Sequence, residues 1–297
     1  MSAIKYNGDA VEFEVFGRRI AGKRWGHALG SPTFALHGWL DNANTFDRLA
    51  PHLPELDIIA LDFAGHGLSD HRPVGVHYHP LTDMQDVLAV AAQLGWSQFC
   101  LLGHSMGAAI ASELAATFPE KIDRAVMIDG FMATGGATAQ ERLQQNRDAI
   151  ENMMNAHNKV PKVYPDVQTM AERVTQATDQ SLAAALTLVQ RGHKIVQGGV
   201  TWRTDPRIRF PTPLRPTREQ MDLLLQQSSA PALLLVAEQG DTWYQGEIPH
   251  AQAAHPDLHV QRMPGPHHIH LEPDYVDVVA ERIRDFLDLD TQRRESA

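Results

Sequence analysis

Short apolar runs alternate with helical stretches in two separate parts of the chain, and this alternation restricts the fold more than any other feature. The two parts cover about residues 10–130 and 230–288. Uniformly apolar runs of four to eight residues are typical of strands that are buried on both faces of a parallel sheet. Strands and helices in alternation form right-handed βαβ units. The sequence therefore predicts an α/β fold with a mostly parallel sheet flanked by helices.

About a hundred residues separate these two parts, and they contain helical stretches but no strand pattern. We predict one core domain formed by residues 1–130 and 228–297, with a mainly helical cap inserted at 131–227. The predicted core strands are 11–20, 33–36, 57–61, 99–102, 125–128, 232–237 and 258–263. The predicted core helices are 81–94, 108–118, 246–254 and 275–287.

Charge and cysteine content exclude several classes of protein. The 297 residues include 26 Lys and Arg against 36 Asp and Glu, and a net charge of −10 argues against a nucleic-acid surface. The single cysteine, Cys100, cannot form an intramolecular disulfide, which favours a reducing cytoplasm. No signal peptide and no long uncharged apolar run is visible, so we expect no membrane span. No phosphate-binding glycine motif implies a nucleotide, and we expect no cofactor.

The motif GHSMG at 103–107 lies between a predicted strand and an alanine-rich predicted helix. A strand, a tight turn and a helix in this order form the setting of a nucleophile elbow. Gly103 and Gly107 leave room for a strained turn that holds the hydroxyl clear of the sheet. Ser105 is therefore the predicted nucleophile.

A serine hydroxyl needs a base at the same edge of the sheet. Three histidines, His267, His268 and His270, follow the last predicted strand, on a loop at the edge where ligands bind in open α/β sheets. We assign the base to His267 and regard His268 and His270 as its neighbours. A metal site is the alternative interpretation of this cluster, but no carboxylate or cysteine stands at a recognised spacing from it. No metal is therefore predicted.

A third group has to orient the base, and backbone amides have to bind the oxyanion. Asp129 and Asp241 each follow a predicted core strand, so topology does not choose between them. The amide of Met106, directly after the nucleophile, is one natural oxyanion donor. Trp39 follows a strand that ends at the same edge, and its amide is the predicted second donor.

With these motifs in order, the chain resembles the α/β-hydrolase superfamily. The resemblance rests on LHGW at 36–39, DFAGHGLS at 62–69, GHSMG at 103–107 and GPHH at 265–268. Four further segments resemble the serine-hydrolase-like proteins of that superfamily: GWLDNANTF at 38–46, DPR at 205–207, RPTREQ at 215–220 and HHIH at 267–270. The resemblance to this subgroup favours Asp129 over Asp241 as the acid. Haloalkane dehalogenases and epoxide hydrolases of this fold have Asp where this chain has Ser105.

The resemblance implies a serine hydrolase that works through an acyl-enzyme, and it indicates the mechanism more than the substrate. We predict a cofactor-independent enzyme that acts on a small-molecule carboxylic ester or lactone. Two alternatives from other classes remain open. One is a C–C bond hydrolase or a cofactor-free haloperoxidase on the same scaffold, and the other is a non-catalytic ligand-binding protein of this fold. A complete set of Ser, His and Asp argues against the last of these.

Overall fold

The structure is a computed structural model, and it describes residues 4–131, 138–156, 162–213, 216–240, 242, 244–255 and 257–289. The strands are β1 (Lys5–Val15), β2 (Arg18–His27), β3 (Ser31–Leu36), β4 (Leu56–Leu61), β5 (Phe99–His104), β6 (Ile122–Ile128), β7 (His193–Val196), β8 (Gly199–Trp202), β9 (Ala232–Gln239) and β10 (Leu258–Pro266). The helices are α1 (Pro80–Leu94), α2 (Met106–Thr117), α3 (Ala139–Met154), α4 (Val167–Thr175), α5 (Leu182–Gly192), α6 (Arg218–Gln227), α7 (Ile248–Ala254) and α8 (Val276–Phe286).

Eight strands form one sheet in the order β1-β2-β4-β3-β5-β6-β9-β10. The pairs that join β4, β3, β5, β6, β9 and β10 are parallel, whereas β2 pairs antiparallel with both β1 and β4. Every residue of β4 and of β5 is buried, because helices or loops cover both faces of the sheet. The predicted fold class, a mostly parallel sheet flanked by helices, is thus confirmed.

Two apolar clusters hold the layers together. One face of the sheet packs against α1, α2, α6 and α7, and the other packs against α8 and the segment 43–53. Each Å² of buried apolar surface stabilises the folded state by about 25 cal/mol, so these two clusters are the main source of stability. The loops that follow β3, β5, β6, β9 and β10 meet at the carboxyl ends of the parallel strands.

The sequence prediction missed two antiparallel hairpins. The segment predicted as one strand at 11–20 contains the turn between β1 and β2, where Phe16 and Gly17 adopt positive φ angles of 50° and 72°. The segment 131–227, in which no strand was expected, contains the pair β7 and β8. The alternation in β7 is weak, since two of its four residues are exposed, and nothing in that short run distinguishes it from a loop.

The segment between β6 and β9 carries α3 to α6 as well as this hairpin. Helix α5 packs on the core segment that follows β3, where Asn42 and Asn44 donate hydrogen bonds to the carbonyls of Leu188 and Thr187. Helix α6 contributes buried side chains to the core cluster on α2. Within the described ranges, no helix is long and apolar enough to cross a bilayer.

Candidate active site

Ser105 occupies a strained turn between β5 and α2. Its φ and ψ are 52° and −115°, a conformation that costs a residue other than glycine of order 1–3 kcal/mol. The turn is possible because its neighbours have no side chains: a Cβ at Gly107 would lie 1.9 Å from the Leu36 carbonyl oxygen, and one at Gly103 would lie 2.5 Å from the Gly107 oxygen. The Ser105 amide donates to the carbonyl of Ile128 at 3.0 Å, which holds the turn against the end of β6.

Asp129 follows β6 directly and is fully buried. Its φ is 40°, so it too lies in the left-handed region that L-residues avoid. One carboxylate oxygen, Oδ1, accepts hydrogen bonds from the Ala237 amide at 3.0 Å and from the Tyr244 hydroxyl at 2.6 Å. Burial would raise the pKa of Asp129, but the hydrogen bonds from His267 and Tyr244 outweigh it and hold the pKa below its ordinary value. The carboxylate is therefore charged at neutral pH.

The other oxygen of Asp129 meets the base predicted from the sequence. His267 Nδ1 lies 2.6 Å from Asp129 Oδ2, and the His267 side chain is 20% exposed while that of Asp129 is inaccessible. Such a contact fixes the tautomer of the imidazole and turns Nε2 away from the carboxylate. The structure thus brings Asp129 and His267 together, next to the turn that holds Ser105. The alternative acid, Asp241, lies outside the described residues.

Among the described residues, the two amides predicted to bind an oxyanion have no hydrogen-bond acceptor in the backbone. Met106 is the first residue of α2, where an amide has no partner within the helix. Across the described ranges, neither the Met106 nor the Trp39 amide donates a hydrogen bond to the backbone. The segment before Trp39 is fixed by His37, whose Nδ1 contacts the Gly38 carbonyl at 2.7 Å and whose Nε2 accepts from the Phe63 amide at 3.0 Å.

A second buried network adjoins the pair of His267 and Asp129. Asp41 Oδ2 lies 3.1 Å from His268 Nε2 and 3.4 Å from His104 Nδ1. Burial would raise the pKa of Asp41, but the neighbouring His268 and His104 hold it well below the ordinary value. On the other side, His104 Nε2 contacts the carbonyl oxygen of His267 at 3.2 Å. The loop that carries His267 is therefore tied to the nucleophile turn and to the loop after β3.

The same network reaches into the inserted segment. The Gln180 amide lies 2.9 Å from His268 Nδ1, and the Ser181 amide donates to Glu272 Oε1 at 2.8 Å. His270 Nε2 meets the Thr45 hydroxyl at 2.9 Å, and its ring centre lies 4.2 Å from that of His104. Sequence reasoning did not find Tyr244, Asp41 or Gln180, because none of them was recognised as part of a catalytic motif.

Comparisons with known proteins identify the family of this chain. The family model described as alpha/beta hydrolase fold matches residues 34–274, which is most of the chain. A serine hydrolase-like protein of Dictyostelium discoideum is 32% identical over 90% of this chain and 78% of that protein. A serine hydrolase-like protein of Danio rerio is 34% identical over 74% of this chain and 69% of its own length. A crystal structure of a hypothetical protein from Pseudomonas aeruginosa is 38% identical, with a TM-score of 0.89 over 94% of this chain and 99% of the other.

The chain belongs to the α/β-hydrolase family. Within that family, it is a member of the serine-hydrolase-like group, as its motifs indicated.

Proposed function

We propose that this protein is a cofactor-independent serine hydrolase that cleaves a carboxylic ester or lactone of small or medium size. The observation that carries the proposal is the 2.6 Å contact between His267 Nδ1 and the buried carboxylate of Asp129, beside a serine on a strained turn. An imidazole that a buried carboxylate orients can act as the base for a serine hydroxyl. The family membership supports hydrolysis as the reaction.

In the proposed mechanism, the Ser105 hydroxyl oxygen attacks the substrate carbonyl while His267 Nε2 takes its proton. Asp129 keeps the imidazole in the required tautomer and balances the imidazolium charge. The amides of Met106 and Trp39 donate to the oxyanion of the tetrahedral intermediate. The imidazolium then protonates the leaving alcohol, and water, activated by the same imidazole, releases the acid from the acyl-enzyme.

We propose that the inserted segment caps this site and shapes the substrate pocket. The support is its contact with Trp39, one of the two proposed oxyanion donors: the indole Nε1 donates to the Ile208 carbonyl at 3.2 Å, and the Arg209 guanidinium lies 5.5 Å from the ring centre. A cap excludes water and strengthens the electrostatic contacts within the site.

The test compares wild type with Ser105→Ala on p-nitrophenyl acetate, butyrate and octanoate, with fluorophosphonate labelling alongside. We expect turnover and labelling by wild type, and a loss of at least about 10³-fold in kcat for Ser105→Ala. A folded wild type that resists labelling would contradict a serine nucleophile. Labelling at Ser105 without turnover of any of these three esters would contradict specificity for simple esters, and would direct the search to lactones and C–C bonds.

The assignment of the acid has its own prediction. In Asp129→Asn the amide cannot balance the imidazolium and favours the wrong tautomer of His267, so kcat should fall by about 10⁴-fold with the fold retained. Asp241→Asn is the matched control and should keep kcat near that of wild type. The measurement is kcat with p-nitrophenyl butyrate together with circular dichroism of each variant. The reverse pattern would mean that Asp241 is the acid.

A further inference from the structure

A buried tyrosine places its hydroxyl group on the carboxylate of the proposed acid. Tyr244 is fully buried, and its hydroxyl oxygen lies 2.6 Å from Asp129 Oδ1. A charged carboxylate can only accept, so the tyrosine hydroxyl donates this hydrogen bond. Hydrogen bonds to an ionised group are about twice as strong as those between neutral groups. The hydroxyl therefore restrains the carboxylate, while the ring of Tyr244 packs in the apolar cluster that also contains side chains of α2.

The two oxygens of the Asp129 carboxylate have different partners. Oδ1 accepts hydrogen bonds from the Tyr244 hydroxyl at 2.6 Å and from the Ala237 amide at 3.0 Å. Oδ2 lies 2.6 Å from His267 Nδ1. Because a carboxylate is planar, donors that fix the position of Oδ1 also fix the direction in which Oδ2 points. The Tyr244 hydroxyl is therefore one of the groups that direct Oδ2 at the imidazole of His267.

The backbone of Asp129 is strained, with a φ of 40°, so its conformation depends on the surrounding contacts. The Asp129 amide donates to the Leu235 carbonyl at 2.7 Å, and the Tyr244 hydroxyl contacts the other end of the residue. Tyr244 is itself held in place, because it precedes a 3₁₀ turn at Gln245–Glu247 and its carbonyl accepts from the Glu247 amide at 3.0 Å. The hydroxyl thus approaches Asp129 from a segment whose own backbone is fixed.

We propose that Tyr244 is a positioning residue for hydrolysis, whose hydroxyl holds the Asp129 carboxylate in the orientation that aligns His267. This inference rests on the proposed function, because the alignment of His267 affects the rate only if the imidazole is the base for Ser105. Tyr244 contacts the oxygen of Asp129 that His267 does not, so its effect reaches the substrate only through these two residues. A small displacement of a catalytic group can slow the reaction by up to about 10²-fold.

The kinetic test is Tyr244→Phe, which removes the hydroxyl and keeps the ring that fills the apolar cluster. With p-nitrophenyl butyrate, we expect kcat to fall about tenfold and KM to stay within about twofold of wild type, because a misaligned base slows proton transfer without weakening substrate binding. The matched control is Tyr78→Phe, since the Tyr78 hydroxyl donates to a different buried carboxylate, that of Asp205, at 2.8 Å. Its kcat should stay near that of wild type. A folded Tyr244→Phe with the kcat of wild type would overturn the proposal.

The hydrogen bond between His267 and Asp129 gives a second readout that needs no ester. In Ser105→Ala, the proton between His267 Nδ1 and Asp129 Oδ2 should give a ¹H NMR signal far downfield, because the two atoms are only 2.6 Å apart. Adding Tyr244→Phe should move or broaden this signal, whereas adding Tyr78→Phe should leave it unchanged. A signal that does not respond to Tyr244→Phe would overturn the positioning role even if hydrolysis is confirmed. A signal that responds, in a protein that hydrolyses no ester, would support the hold on Asp129 and contradict only the proposed function.

Discussion

Gly240 stands where any side chain would collide with the proposed acid. A Cβ at this position would lie 2.0 Å from Asp129 Oδ2, the oxygen that contacts His267. Gly240 follows β9, and the Asp129 carboxylate reaches it from the loop after β6. The missing side chain at Gly240 makes room for this carboxylate.

This close approach gives a prediction for Gly240→Ala. The backbone of Gly240 does not have a positive φ, so alanine is not strained there, but its methyl group must displace the Asp129 carboxylate. We expect kcat to fall by about tenfold or more, as when a carboxylate that orients a functional histidine is disturbed. The control is Gly246→Ala, because a Cβ at Gly246 would have no described atom within 4 Å. Unchanged kcat in folded Gly240→Ala would argue against Asp129 as the acid.

At the residue scale, local motifs made some features predictable from the sequence. The strain at Ser105 was expected, since two glycines flank it in a turn between a strand and a helix. The strain at Asp129 was not, because its φ of 40° depends on contacts with Ala237 and Tyr244, which lie 108 and 115 residues away. Side chains that meet only through the tertiary fold leave no pattern in the sequence.

Among the elements, strands that are buried on both faces were predictable and exposed hairpins were not. An apolar run such as β9 stands out, because six of its eight residues are buried. The strands β7 and β8 pair with each other outside the main sheet and carry a mixed pattern. Helix α1 was predictable at its end as well, since Gly95 adopts the left-handed conformation, with a φ of 72°, that terminates helices.

A buried ion pair is one of the contacts that attach the inserted segment to the core. Arg191, at the end of α5, donates to Asp62 Oδ2 at 2.9 Å, and the two side chains are 9% and 0% exposed. In Arg191→Ala the Asp62 carboxylate stays buried with only the Ala43 and Leu68 amides, so we expect a loss of about 3 kcal/mol in the free energy of unfolding. Urea denaturation measures this change.

An exposed ion pair in the same inserted segment provides the control. Arg147 and Glu151 on α3 lie 2.8 Å apart, but their side chains are 71% and 57% exposed. Arg147→Ala should therefore cost no more than about 0.5 kcal/mol. Equal effects of the two substitutions would mean that α5 is held by its apolar contacts and not by the ion pair.

At the scale of the whole molecule, contacting residues lie far apart in the sequence. This explains why the sequence analysis did not find the buried hydrogen-bond network of Asp41, His268 and Gln180. Asp41 and His268 are 227 residues apart, and Gln180 joins them from the inserted segment. The order of strands along the chain indicated which loops share an edge, so the predicted nucleophile, base and acid could be assigned to that edge. It could not indicate which of sixteen histidines would be buried there as neutral groups.

Buried neutral histidines make the stability of the whole molecule sensitive to acid. His66 is 3% exposed, and burial lowers its pKa to about 3. As pH falls below the ordinary value of about 6.5, the unfolded chain takes up a proton at His66 while the folded protein does not. The folded state therefore loses stability between about pH 6.5 and pH 3, at up to about 1.4 kcal/mol per pH unit for this residue.

His66→Phe isolates this contribution, because every other titrating group is shared with wild type. Phenylalanine fills the space beside His37, whose ring centre lies 4.9 Å from that of His66, and it does not titrate. Between pH 7 and pH 5, the variant should gain about 2 kcal/mol in the free energy of unfolding relative to wild type. Urea denaturation of both proteins at the two pH values gives this difference. A difference that is independent of pH would mean that His66 is protonated in the folded protein, and that its burial does not exclude the charged form.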